Sequence, residues 1–180
     1  DYSHPLTEGL SLDGVVWGAA DPNKFTGMTV IAAGNIPLLT DKETAAGFST
    51  KKGQVKKTSL EQYSRPRTNG INAITIREGD ELLEAKLTTG DSQVMLAVKS
   101  GKAIRFEESK IRPMGRNASG VRGITLANDN DEVVGMIAVN DFDSDILVVS
   151  ENGYGKRSSL EDYRITNRGG KGVKTISITE

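Results

Sequence analysis

Four cations and three glycines fall within the dozen residues Tyr163-Arg164-Ile165-Thr166-Asn167-Arg168-Gly169-Gly170-Lys171-Gly172-Val173-Lys174. A loop of that composition can bring its main chain against a phosphate ribbon with no side-chain bulk at Gly169, Gly170 or Gly172, while Arg164, Arg168, Lys171 and Lys174 neutralise charge. This is the chemistry of a nucleic-acid backbone grip, not of bond making. A nucleotide P-loop is a poor fit: Gly-x-x-x-x-Gly-Lys-[Ser/Thr] has no match, and the nearest candidate, Gly115 to Gly120, is followed by Val121. Glycine-rich basic segments also serve as solvated turns, so the loop needs independent support.

Internal repetition supplies it. With Gly53, Gly101 and Gly153 in register, separated by 48 and 52 residues, each glycine is followed four residues later by a cation (Lys57, Arg105, Arg157) and ten residues later by a bulky side chain (Tyr63, Ile111, Tyr163). A second glycine (Gly70, Gly120, Gly172) precedes an alternating apolar run in each copy: 71–76, 121–126 and 173–178. Short apolar segments such as Val94-Met95-Leu96-Ala97-Val98 and Asp145-Ile146-Leu147-Val148-Val149, bounded by polar turns, read as buried strands. An acidic turn and a further strand complete the unit, over 78–85 and 129–139. A period near 50 residues filled with short strands predicts an all-β, propeller-like array in which each repeat is one four-stranded antiparallel blade. By this register the repeats run over about 48–97, 98–148 and 149–180, the last incomplete.

The run Arg168 to Gly172 resembles the seven-residue box, Gln-Arg-Arg-Gly-Gly-Lys-Gly in full, of the C-terminal DNA-wrapping domain of DNA gyrase A, with Asn167 and Thr166 replacing its second and first residues. That is the pattern of a degenerate copy in a later repeat. Residues 51–67 and 153–164 resemble blades of the same type IIA topoisomerase family, and the resemblance covers Phe48 to Glu180. It implies a β-pinwheel of about six blades, in which neighbours exchange strands and double-stranded DNA winds around the rim. At 180 residues the chain holds about three and a half repeats, which is expected of a partial wheel. The resemblance also implies a protein partner, gyrase B, reached through the rest of gyrase A. ATP, Mg and the DNA-cleaving tyrosine belong to other parts of that holoenzyme, so no cofactor and no catalytic residue is expected here. The cations offered to DNA on this reading are Lys51, Lys52, Lys56, Lys57, Arg65, Arg67, Arg105, Arg112, Arg116, Arg122, Lys156, Arg157, Arg164, Arg168, Lys171 and Lys174. Two alternatives stay open: the equivalent domain of topoisomerase IV, and a propeller-like protein-interaction module whose rim charges serve solvation.

Residues 1–47 fit the repeat poorly. Segments 13–20 and 28–33 could be two strands of a diverged blade, but the cation and the box are absent, and no DNA role is assigned there.

Net charge is −1, yet the charge is segregated. From Phe48 to Arg122 there are 15 Lys and Arg against 8 Asp and Glu, whereas 123–150 holds 6 acids and no base. A local positive band is compatible with overall neutrality. Without cysteine there are no disulfides or thiolate zinc sites, and the single His4 cannot anchor a histidine-based metal cluster or triad. Asp141-Phe142-Asp143-Ser144-Asp145 opens like a calcium loop, but its sixth and twelfth positions are Ile146 and Asn152, so an acidic solvated turn is expected. The tyrosines Tyr63, Tyr154 and Tyr163 are expected to pack within repeats. With no apolar run long enough for a bilayer and no signal-like start, a cytoplasmic, nucleoid-associated location is expected, and the sequon at Asn117 is incidental.

Overall fold

The computed structural model describes residues 29–30, 45–65 and 67–178. Twelve strands occupy this region: β1 (Thr29–Val30), β2 (Ala45–Thr50), β3 (Gln54–Ser59), β4 (Ile71–Asn72), β5 (Leu82–Thr88), β6 (Gln93–Val98), β7 (Lys102–Glu107), β8 (Val121–Arg122), β9 (Val133–Val139), β10 (Asp145–Val149), β11 (Gly155–Ser159) and β12 (Val173–Lys174). Short 3-10 turns follow β3, β7 and β11 at Leu60–Tyr63, Glu108–Lys110 and Leu160–Asp162. The fold is all-β.

Two four-stranded antiparallel sheets have the orders β5-β2-β3-β8 and β9-β6-β7-β12. In each, three strands flank one turn glycine, Gly53 or Gly101, and the fourth, the short strand after the second glycine, is lent by the next repeat; β6, at the edge of the first repeat as bounded above, pairs within the second sheet. β8 pairs with β3 (Gln54 with Arg122, Val55 with Val121), and β12 pairs with β7 in the same register (Lys102 with Lys174, Ala103 with Val173). β4 pairs likewise with β1, and β10 pairs with β11. Of the two strands expected in the first 47 residues, only Thr29–Val30 lies among the described residues.

Glycine chemistry explains why the repeat folds this way. Gly53, Gly101 and Gly153 have φ of +80°, +78° and +83°, and each N–H donates to the carbonyl three residues back, closing the tight turn between paired strands. The second glycine is required by crowding: a Cβ on Gly120 would lie 2.5 Å from the Val55 carbonyl oxygen, and one on Gly172 2.5 Å from that of Ala103. Only a bare backbone lets the lent strand dock. An aspartate then locks the first two of these turns. Asp80 accepts from the Lys52 and Glu81 N–H groups, and Asp131 accepts from the Ser100, Ala127 and Glu132 N–H groups and from the Ser100 hydroxyl.

The core lies between sheets. Val55, Leu96, Ile104, Phe106, Ile111 and Ile124 form its largest cluster, while Met95, Ala103, Leu160 and Tyr163 form the next along the array. Tyr63, Ile111 and Tyr163 occupy equivalent positions at the ends of the three 3-10 turns; Ile111 and Tyr163 are buried and Tyr63 is half-buried. Two expectations need correction. Asp145 to Val149 is not a fully buried strand: Ile146 is buried while Leu147 and Val149 are exposed, because one face of the β10–β11 pair is uncovered among the described residues. Tyr154 is 77% exposed rather than packed.

Candidate nucleic-acid interface

The cations divide into two sets that sequence spacing does not separate. Lys56, Lys57 and Arg105 are buried. The Lys56 ammonium donates to the carbonyl of Ala73 at 2.6 Å and to that of Arg116, beneath the Phe48 ring. Burial, aided by the Arg116 charge, lowers its pKa to about 8. Lys57 lies 3.3 Å from the Glu108 carboxylate and also donates to the Glu108 carbonyl. Arg105 donates to the Leu160 and Tyr163 carbonyls and to the Gln93 side chain. These three are therefore corrected: each is buried and bonded to protein acceptors, a staple between repeats rather than a cation offered at the surface. Arg157, at the corresponding position of the third repeat, is exposed and pairs with Asp145 at 2.6 Å.

The second set stays on the surface. Arg112 and Arg164 hold the same position after successive 3-10 turns, and both are exposed. Arg122 and Lys174 are the matching residues of the lent strands β8 and β12, again exposed. Arg65, Arg67, Lys156 and Lys171 are exposed too. Lys52 is exposed, with its ammonium 3.2 Å from the Asp129 carbonyl, while Lys51 is tied to Glu81 at 2.7 Å, which raises its pKa. Lys102 is a cation that spacing alone does not single out. It lies directly across from Lys174, and like charges so placed disfavour the pairing unless an anion joins them. Its signal is its place next to Gly101, visible only once the register is known.

The box itself faces inward more than expected. Arg168 donates from Nε to the Lys110 carbonyl at 3.0 Å and from Nη1 to the Arg122 carbonyl at 2.9 Å. The Gly169 N–H donates to the Gly123 carbonyl, while Thr125 donates its N–H to the Gly170 carbonyl and its hydroxyl to the Gly169 carbonyl. The preceding seam repeats part of this set, with Arg116 donating to the Asn72 carbonyl and Thr75 to the carbonyls of Ala118 and Asn117. The space freed by Gly172 is taken by Ala103, not kept open for a ligand, and Gly170 is the exposed glycine of the three.

Residues 48–89, 93–140 and 144–180 match the family model described as DNA gyrase C-terminal domain, beta-propeller. The chain belongs to that family. The DNA gyrase A protein of Staphylococcus aureus strain MRSA252 is 50% identical over 134 residues, which cover 74% of this chain and 15% of that protein, and its counterpart in strain NCTC 8325 matches equally. The chain thus spans a small part of these relatives. Among solved structures, the C-terminal domain of DNA topoisomerase IV superposes with TM-score 0.69 at 28% identity, covering 75% of this chain and 42% of that one. The DNA gyrase A C-terminal domain superposes at 0.64 with 26% identity, covering 73% and 43%. No helix among the described residues of this gyrase-family chain is long and apolar enough to cross a membrane, nor do those residues hold a cluster of three or more His, Cys, Asp or Glu suited to a metal.

Proposed function

We propose that this chain binds and wraps double-stranded DNA without reading its sequence, as part of a gyrase A protein that introduces negative supercoils together with gyrase B. The observation that carries this reading is the recurrence of exposed cations at matching positions of the second and third repeats, Arg112 with Arg164 and Arg122 with Lys174, so that these two repeats offer phosphates the same contacts, where the first repeat has Ser64 and Asn72. A duplex that follows successive repeats releases counterions at each one, and the added contacts offset its bending energy. Phosphate contacts position the duplex and leave base edges unread. The chain supplies geometry to the holoenzyme. Nucleotide, Mg and cleavage chemistry reside elsewhere in the assembly, which acts in the bacterial cytoplasm at the nucleoid.

Titration of the chain with random-sequence duplex tests the reading. Affinity should fall by about 10³ to 10⁵ between about 50 and 200 mM salt if roughly six to ten phosphates are engaged. A flat salt response would remove DNA wrapping and favour a protein-interaction module. The superposition on topoisomerase IV supports a second reading, the equivalent domain of that enzyme. Supercoiling of relaxed plasmid by the complete holoenzyme distinguishes the two, since only gyrase should introduce negative supercoils.

A further inference from the structure

We propose that Arg168 is a positioning residue for DNA curvature: it clamps the box loop to the main chain of Arg122 and Lys110 in the preceding repeat and so fixes the angle between neighbouring blades, instead of ligating a phosphate. This rests on the DNA-wrapping reading and assigns the box a different task within it. Arg168 commits two donor directions to protein carbonyls, 3.0 and 2.9 Å away. Both acceptors belong to the repeat before it, and one is the carbonyl of Arg122, whose exposed side chain is offered to DNA. Arg168 therefore acts through Arg122.

The Nη1 contact and the threonine beside it occur twice. Arg116, fifteen residues after its turn glycine as Arg168 is after Gly153, donates from Nη1 to Asn72, the residue of β4 that corresponds to Arg122 of β8. Each clamp is accompanied by a threonine of the preceding repeat, Thr75 or Thr125, that bonds the loop main chain through both its N–H and its hydroxyl. A loop free to follow DNA would leave these groups to solvent. At both seams the polar contacts instead join one repeat's loop to its neighbour's lent strand and the residues around it. A seam so fixed presents successive cation pairs along a preset arc.

The test compares Arg168→Gln, Thr125→Val and Lys171→Gln in the full chain. Three quantities are read: thermal melting, the salt slope of duplex binding, and bending of a short duplex carrying a fluorescence-transfer pair at its ends. Arg168→Gln should leave the salt slope unchanged while lowering the bent-to-straight ratio on the order of tenfold, the shift expected when two hydrogen bonds cease to favour one geometry. Thr125→Val, which removes no charge, should reproduce that loss. Lys171→Gln should lower the slope by about one unit, as a phosphate contact does. A slope reduced by about one unit in Arg168→Gln, or bending retained in both Arg168→Gln and Thr125→Val, overturns the positioning role. Absence of salt-dependent binding by the unaltered chain would overturn the wrapping reading itself. If Arg168→Gln fails to fold, Thr125→Val alone decides through bending.

Discussion

The seam between the first and second repeats and the seam between the second and third use the same positions with different chemistry. At the first, Lys57 reaches the 3-10 turn of the next repeat and meets a buried glutamate, Glu108. At the second, Arg105 makes the equivalent reach, but Leu160 stands where Glu108 stood, and the guanidinium bonds main-chain carbonyls and Gln93. Lys56 at the first seam corresponds to Ile104 at the second, which lies 3.4 Å from the position of a Cβ on Gly170. The main-chain latch formed by Thr75 and Thr125 is unchanged. Geometry is therefore held by backbone and threonine, while the buried side chains at these seam positions vary and each buried cation keeps protein acceptors. The first seam depends on an ion pair; the second does not.

The comparison breaks most sharply at Glu108. This carboxylate is 1% exposed and accepts from the Thr88 hydroxyl and the Gly90 N–H as well as pairing with Lys57. Glu108→Ala leaves the Lys57 ammonium buried without its counter-charge, a change that costs about 3–5 kcal/mol. Urea unfolding should show that loss. The double variant Lys57→Met with Glu108→Leu, which copies the apolar character of Leu160, should recover much of it, since replacing a buried pair by packed apolar groups is often neutral. No recovery would mean that the first seam needs the ion pair for more than charge balance.

The sequence exposes the scaffold more readily than the interface. Both glycine series are legible because a positive φ or a carbonyl 2.5 Å from the Cβ position permits almost nothing else. The side chains that divide seam from surface are not. Lys57 and Arg112 are cations in similar polar surroundings along the chain, and a staple to a carbonyl requires the same residue type as a contact to a phosphate. Only strand exchange between repeats, a long-range fact, decides which is covered. Lys56 shows the limit best: it stands in a basic run of an amphipathic-looking strand, yet it is fully buried beside Phe48. The expected burial of 145–149 fails for a related reason, because burial of a strand depends on what covers its second face.

A smaller effect is expected at the turn aspartates, where the two repeats again differ. Asp131 accepts four hydrogen bonds, whereas Asp80 accepts two and its Oδ2 is buried without a partner. Burial by itself would raise the Asp131 carboxyl, but the bonds from Ala127, Ser100 and Glu132 outweigh it and hold the pKa below 3.8. Asp131→Asn should cost about 2 kcal/mol, more than Asp80→Asn, through donors left poorly satisfied. Because the folded pKa lies below the unfolded one, this contribution is complete above about 3.8 and disappears as pH falls through the folded value. Acid unfolding midpoints of the two variants measure the difference. Equal losses would show that the extra bonds of Asp131 are redundant.

The smallest effect separates the seams by titration. Lys56 is the buried lysine with a lowered pKa, about 8, set by burial and then by the Arg116 charge, and its second-seam counterpart Ile104 cannot titrate. Unfolded Lys56 titrates near 10.5, so between about 8 and 10.5 the unfolded chain holds the additional proton and stability rises with pH. A pKa of about 8 would correspond to a rise of roughly 3 kcal/mol, but the carbonyls of Ala73 and Arg116 accept from the ammonium and favour it, so the rise should be nearer about 1 kcal/mol. Unfolding in urea across this range, for the unaltered chain and for Lys56→Met, isolates the effect, since the remaining lysines and tyrosines are common to both. A rise that persists in Lys56→Met would assign it to other groups. A fall with pH that Lys56→Met abolishes would show that the two carbonyls hold the ammonium more strongly than burial penalises it, making Lys56 a charged staple of the same kind as Arg105.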